Sequence, residues 1–257
     1  MSTFTYVLIN SLDNRWEEVD LVIHEAATKT GNIPLYNALC RSAIVLITAH
    51  LEGFTKDIAK SIVSDINFYS NFCKAPMAVK RTFCNLYLDT ENSNLEKKIN
   101  LLIKTFDELD IKFISEPFVF ENNKNPSPSI IDKVCKNFGV SGFFETLEFS
   151  KFDKVFEGEK TFNNLMLNDL KEHILGGIEE YPYALNPLEF DLDVNKQKRS
   201  VKRTLWETFL DELLRTRHAI AHGTSLENSL SIEEIIDIKL KTQILQYAIT
   251  LVLCYSL

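Results

Sequence analysis

What this chain has little of sets the first limits on it. In 257 residues there are only 8 glycines, 7 prolines and 2 tryptophans. So few breakers over such a length favour helices. The five cysteines, Cys40, Cys73, Cys84, Cys135 and Cys254, form no CxxC and are odd in number. That argues against a disulfide framework or a zinc knuckle and makes a reducing cytoplasm the expected compartment. The opening MSTFTYVLINSLDNRWEEVD has neither a basic start nor an unbroken apolar stretch, so no signal peptide is expected. The apolar C-terminal ILQYAITLVLCYSL falls short of the roughly 20 residues that span a bilayer. It is expected to be a buried core helix, with no membrane as partner. No GxSxG and no phosphate-cradling glycine loop occur, which leaves nucleophile-elbow hydrolases and P-loop NTPases without support. Positive charge is scarce too, with 28 Lys and Arg against 36 Asp and Glu and a net charge of −8. Proteins that coat nucleic acid are usually basic. Any such binding here must come from a local basic groove.

What remains is an ordinary composition, 45% hydrophobic and 25% charged, with enough length for a sizeable core. The expected fold is all-α, a helical bundle with a long N-terminal helix, a C-terminal pair of helices and few or no strands. Asn14 to Thr28 reads as an amphipathic helix, broken at Thr30-Gly31-Asn32. Pro34 suits the first turn of the next helix, which runs without interruption from Leu35 to about Ile66. Gly53 lies inside it at a cost of about 1 kcal/mol against Ala, which a close helix crossing there would offset. Pro76 to Leu86, Leu95 to Phe106, a short stretch ending near Gly139 and Asn163 to Leu175 are further predicted helices, the last stopped by Gly176-Gly177. IKFISEPFVF, from Ile111, reads as a short strand or an extended loop. The whole chain, 1–257, is expected to be one helical domain with an irregular insertion at about 107–200.

Chemistry concentrates near the C-terminus. NKQKRSVKR carries five cations, Lys196, Lys198, Arg199, Lys202 and Arg203. Such a run is a solvated loop or a patch for phosphates. It leads directly into a helix expected over Thr204 to His222, with Gly223 as the residue that ends it. Ser231-Ile-Glu-Glu234 then opens the last helix with a capping-box pattern. Within the first of these two helices stands RTRHAIAHGT, Arg215 to Thr224. Successive helical residues turn by about 100°. Trp206, Phe209, Leu210, Leu213 and Ile220 therefore share an apolar face, while Asp211, Arg215, His218 and His222 form a polar stripe opposite it. Arg217 falls inside the apolar sector. A charge there needs a partner or a route to water. It pairs with an acid such as Glu52, faces a second subunit, or reaches solvent from the last turn.

A histidine titrating near neutral pH suits general acid or base work. The negative end of the helix dipole favours its protonated form, and adjacent arginines oppose that. An arginine beside it can stabilise charge on a phosphate. Together they can cleave RNA without a metal. A base deprotonates the ribose 2′-OH, that oxygen attacks the adjacent phosphorus, and an acid protonates the leaving 5′-oxygen. The spacing alone is common, and a polar helix end explains it equally well. His218 and His222 also have the i, i+4 spacing of a zinc helix. HAIAH lacks the glutamate of HExxH, and a full zinc site would need a third ligand such as His50 or His173.

RHAIAHG, Arg217 to Gly223, resembles the arginine–polar–x-x-x–histidine motif of the HEPN superfamily of all-helical ribonucleases. His218 stands at the polar position, where that pattern often has asparagine. HLEGFTKDIAKSI, His50 to Ile62, is similar to the long N-terminal helix of the RiboL-PSP-associated branch found in prokaryotic conflict systems. ENNKNPSPSIIDKVCKNFGV resembles the loop and short helix between them. The resemblance implies a metal-independent endoribonuclease with no cofactor, active as a homodimer whose motif helices pack together into one RNA site. It implies a toxin or antiviral defence effector, with an antitoxin or defence-system protein as a further partner. Arg217, His222 and His218 would carry catalysis, with Arg215 and Glu52 auxiliary and the 196–203 cations binding RNA. A non-catalytic helical binding or regulatory module with the same fold is the alternative. The motif favours the enzyme, and the acidic charge favours the module.

Overall fold

A computed structural model describes residues 1–88, 94–121, 124–158, 160–194, 203–223 and 230–257. Among them are ten α-helices, three short 3-10 turns and no strand. The helices are α1 (Phe4–Asn10), α2 (Leu12–Thr28), α3 (Ile33–Tyr69), α4 (Met77–Asn85), α5 (Leu95–Leu109), α6 (Pro128–Asn137), α7 (Phe143–Leu147), α8 (Lys160–Ile178), α9 (Leu205–Ala221) and α10 (Ile232–Tyr255). The 111–120 segment, read as strand or extended loop, holds no strand and is irregular around a 3-10 turn at Glu116–Phe118.

The 37-residue α3 is the spine, roughly 55 Å long at 1.5 Å per residue. Asn32 caps it by accepting the Leu35 N–H, and Pro34 sits in its first turn. It packs against α1, α2, α9 and α10. The C-terminal α10 is buried on every side from Ile244 to Cys254. That is why its apolar sequence shows no polar face. Among the described residues no helix is long and apolar enough to cross a membrane. Gln246 ties the centre together. It accepts the Trp16 indole N–H from α2 at 3.1 Å and donates to the His50 carbonyl of α3.

Two local expectations change, and one helix is added to those the sequence predicts. The added helix is α1, which precedes the amphipathic stretch expected from Asn14. Its start is held by the buried Asp65, which accepts the N–H groups of Phe4 and Thr5 at 2.7 and 3.0 Å and the Tyr183 hydroxyl at 2.7 Å. A carboxylate at a helix N-terminus satisfies orphan donors and the dipole together. Next, α8 does not stop at Gly176-Gly177 but runs through both to Ile178. A Cβ on Gly177 would lie 2.4 Å from Leu185 Cδ2 and 2.7 Å from the Ala184 carbonyl oxygen. The glycine admits the returning chain, whose Ala184 N–H donates to the Gly177 carbonyl at 2.8 Å. Gly53 is the reverse case. Nothing stands within 4 Å of where its Cβ would be, so no close crossing offsets its cost.

Candidate active site on the last turn of α9

Local chemistry fixes both ends of α9. Thr204 accepts the Glu207 N–H at 3.1 Å, and Glu207 returns by accepting the Thr204 N–H at 2.8 Å. This capping box satisfies two of the four donors a helix start leaves free. At the other end His222 donates its backbone N–H to the His218 carbonyl at 3.0 Å. Gly223 then takes φ +66°, a left-handed turn that glycine adopts without strain. The helix therefore ends directly after the second histidine.

Burial along α9 is graded. Trp206, Phe209, Leu210 and Leu213 are in the core, and Phe156 packs edge-on to Trp206 with ring centroids 4.9 Å apart. One turn further on the same face, Leu214, Arg217 and Ile220 are only half-buried. The helix thus leaves the core over its last two turns. Arg217 has no hydrogen-bond or ion-pair partner among the described residues, nor does Arg215, which is exposed. Of the three arrangements open to Arg217, pairing with Glu52 is not the one present. Glu52 forms an i, i+4 ion pair with Lys56 at 2.7 Å, and Lys56 also stands over the Phe120 ring.

His218 and His222 are exposed on the opposite face, their ring centroids 4.1 Å apart and their planes tilted by 51°. Neither imidazole has a hydrogen-bond partner among the described residues. Asp211, placed on the same stripe, is taken by Arg203. That arginine bridges Glu207 at 2.9 Å and Asp211 at 2.6 Å. Arg203 thus folds back along its own helix. Lys196, Lys198, Arg199 and Lys202 lie outside the described residues.

The two other histidines considered as metal ligands are engaged elsewhere. His50 Nε2 lies 2.8 Å from Glu18, and its ring lies against Trp16. His173 contacts Glu189 through Nδ1 at 3.0 Å and accepts the Asn186 N–H at Nε2. Among the described residues no group of three or more metal-binding side chains occurs.

Sequence reading did not single out Arg41. It lines an open groove of about 490 Å³ with Ala38, Ser42, Val45, Leu46 and Ile220, where α3 meets the last turn of α9. The signal was a lone cation in NALCRSAIVLITAH, the nearly apolar half of α3. A larger polar groove, about 800 Å³ between α4 and α6, contains Arg81, Asp132, Lys133 and Lys136 and none of the motif residues.

The family model of RiboL-PSP-HEPN matches residues 10–254, nearly the full length, and the chain belongs to that family. No curated protein and no solved structure gives a match. Membership associates the chain with an RNA-related, nuclease-like function.

Proposed function

We propose that this RiboL-PSP-HEPN protein is a metal-independent endoribonuclease that works as a homodimer, in the cytoplasm, as a toxin or defence effector under an antitoxin or partner protein. The observation that carries the reading is the set Arg217, His218 and His222 on one helix end, in a chain of this family, with none of these side chains claimed by another described residue. A structural ion pair or core histidine would be partnered, as His50 and His173 are.

In this reading one histidine takes the proton of the ribose 2′-OH. The freed oxygen attacks the adjacent phosphorus, and the bond from phosphorus to the 5′-oxygen breaks. The second histidine supplies a proton to that leaving oxygen. The products are a 2′,3′-cyclic phosphate and a 5′-hydroxyl. Arg217 stabilises the charge growing on the phosphoryl oxygens, and Arg215 and Arg41 hold flanking phosphates. The 196–203 cations add affinity that weakens with salt. Dimerisation through the emerging face of α9 is supported by the half-buried Leu214 and Ile220 and by the groove beside Ile220. A second copy there would give Arg217 the neighbours it lacks.

The test is incubation of the purified protein with mixed RNA in EDTA, beside an Arg217→Ala/His222→Ala double variant, with analysis of the new ends. Cleavage by the wild type alone, leaving cyclic phosphate, is expected. Each group of this kind contributes about 10²-fold or more. Equal cleavage by both proteins would place the chemistry elsewhere. No cleavage of any RNA class by a verified dimer would favour the non-catalytic binding module.

A further inference from the structure

We propose that the His218–His222 pair is a chelating site for a transition-metal ion of the Zn²⁺ class, and that its occupancy switches the site off. The second half rests on the ribonuclease reading above; the first does not.

The pair meets the requirements of a two-point chelate. Its i, i+4 spacing puts both rings on one helix face. The ring centroids are 4.1 Å apart. Zn–N bonds of about 2.0–2.1 Å at a tetrahedral angle place two imidazole centroids roughly 5 Å apart. A small opening of the side chains is enough to reach that spacing. Both residues are exposed, and no described residue claims a ring nitrogen. Of the other three histidines, His50 and His173 each face a glutamate, and His24 is exposed by itself on α2.

The donor type selects the ion. Neutral imidazole suits Zn²⁺, Cu²⁺ and Ni²⁺, whereas Mg²⁺ and Ca²⁺ need oxygen ligands. The nearest carboxylate on the stripe, Asp211, is held by Arg203. Two protein ligands leave the remaining positions to water, so the ion exchanges with solvent. Arg215 and Arg217 oppose a cation, but Arg215 is exposed, where salt screens it, and the half-buried Arg217 lies on the other face of the helix. Binding one imidazole makes binding the second intramolecular, which raises affinity about 100-fold.

The functional consequence follows from the lone pairs. A histidine can accept the 2′-OH proton only through a free ring nitrogen. A metal ion held between the rings occupies one such nitrogen on each. The same pair that serves as acid and base therefore becomes a lock, and the ion is an inhibitor, not a cofactor.

Titration calorimetry with zinc chloride on EDTA-stripped, dialysed full-length protein tests this, in a Cys73→Ser background because that thiol is exposed. One ion per subunit is expected, with binding about 100-fold weaker in His218→Ala and in His222→Ala. Binding of equal strength in all three proteins, or none up to the millimolar range, overturns the site. In parallel, cleavage that stops as the site fills and returns with EDTA supports the lock. Cleavage that continues on the saturated protein overturns it. Zinc binding through the pair in a protein that cleaves no RNA supports the site and counts against the ribonuclease reading alone.

Discussion

Two glycines, Gly53 in the middle of α3 and Gly177 one residue before the end of α8, should respond to alanine with opposite signs. Helix propensity favours alanine by about 1 kcal/mol in a helix interior such as Gly53, and by up to that amount at Gly177 near the end of α8. At Gly53 the structure adds nothing to that, because no atom stands within 4 Å of the new methyl. Gly53→Ala should therefore stabilise by about 1 kcal/mol. At Gly177 the methyl would meet Leu185 Cδ2 at 2.4 Å and the Ala184 carbonyl oxygen at 2.7 Å. The leucine can turn away, but the carbonyl belongs to a backbone that is itself bonded to Gly177. Overpacking of this kind costs about 1–3 kcal/mol, and the contact is too short to relax fully, so the upper half of that range applies. Net of propensity, Gly177→Ala should destabilise by about 1–3 kcal/mol. For a chain of this length 1 kcal/mol moves Tm by about 2 °C. Thermal melts followed by circular dichroism should rise by about 2 °C for Gly53→Ala and fall by about 2–6 °C for Gly177→Ala. A Gly177→Ala protein as stable as wild type would mean that residues 184–185 do not press on α8. The account of why the helix carries that glycine would then be wrong.

The capping box of α9 gives a second prediction: Thr204→Ala should cost about 1 kcal/mol, read as a fall of about 2 °C in Tm. Trp206 gives a third. It is fully buried, yet its indole N–H has no partner among the described residues. Trp206→Ala should cost about 3–5 kcal/mol, whereas Trp206→Phe keeps an aromatic ring and removes an orphaned donor. Its urea midpoint should lie well nearer to wild type than to the alanine variant, and equal losses would show that the ring's shape, not its burial, holds the site.

How much of this was legible without the structure depends on the range of the forces involved. The helix ends of α9 and α10 were readable because caps are local: Thr204 with Glu207 and Ser231 with Glu234 sit three residues apart. The long α3 was readable because nothing interrupts it. The glycines were misread because their meaning lies in partners far along the chain or in the lack of any. Gly177 is set by a chain that returns through Ala184, and Gly53 by empty space. α1 is held by Asp65, 60 residues away, which no periodicity reveals. In the site, the wheel placed the histidines on the exposed face and Arg217 on the apolar one. It did not show that the apolar face leaves the core before reaching Arg217. Nor did it bring in Arg41, which meets Ile220 only through the packing of α3 on α9.

That graded burial bears on whether the chemistry is made by one chain or two. A catalytic arginine must be held in place to act, because misplacement by about 1 Å costs about 10²-fold. Within one chain nothing described here holds Arg217. On the 3.6-residue wheel it also projects well away from His222, toward the side of Leu213. A single helix therefore does not aim both groups at one phosphate, and two copies of α9 packed together can. If so, Arg217→Ala and His222→Ala, each inactive alone, should complement when co-expressed or unfolded and refolded together. Random pairing makes about half of the dimers mixed, and each mixed dimer retains one arginine and one histidine on opposite chains. Activity should return to about one quarter of wild type, because half of the dimers are mixed and each keeps one of its two symmetry-related pairs. If the arginine and histidine must come from the same chain, every mixed dimer lacks an intact pair. The mixture would then stay as inactive as its components while light scattering still reports dimers, and the two-chain site would be refuted without touching the assignment of the residues.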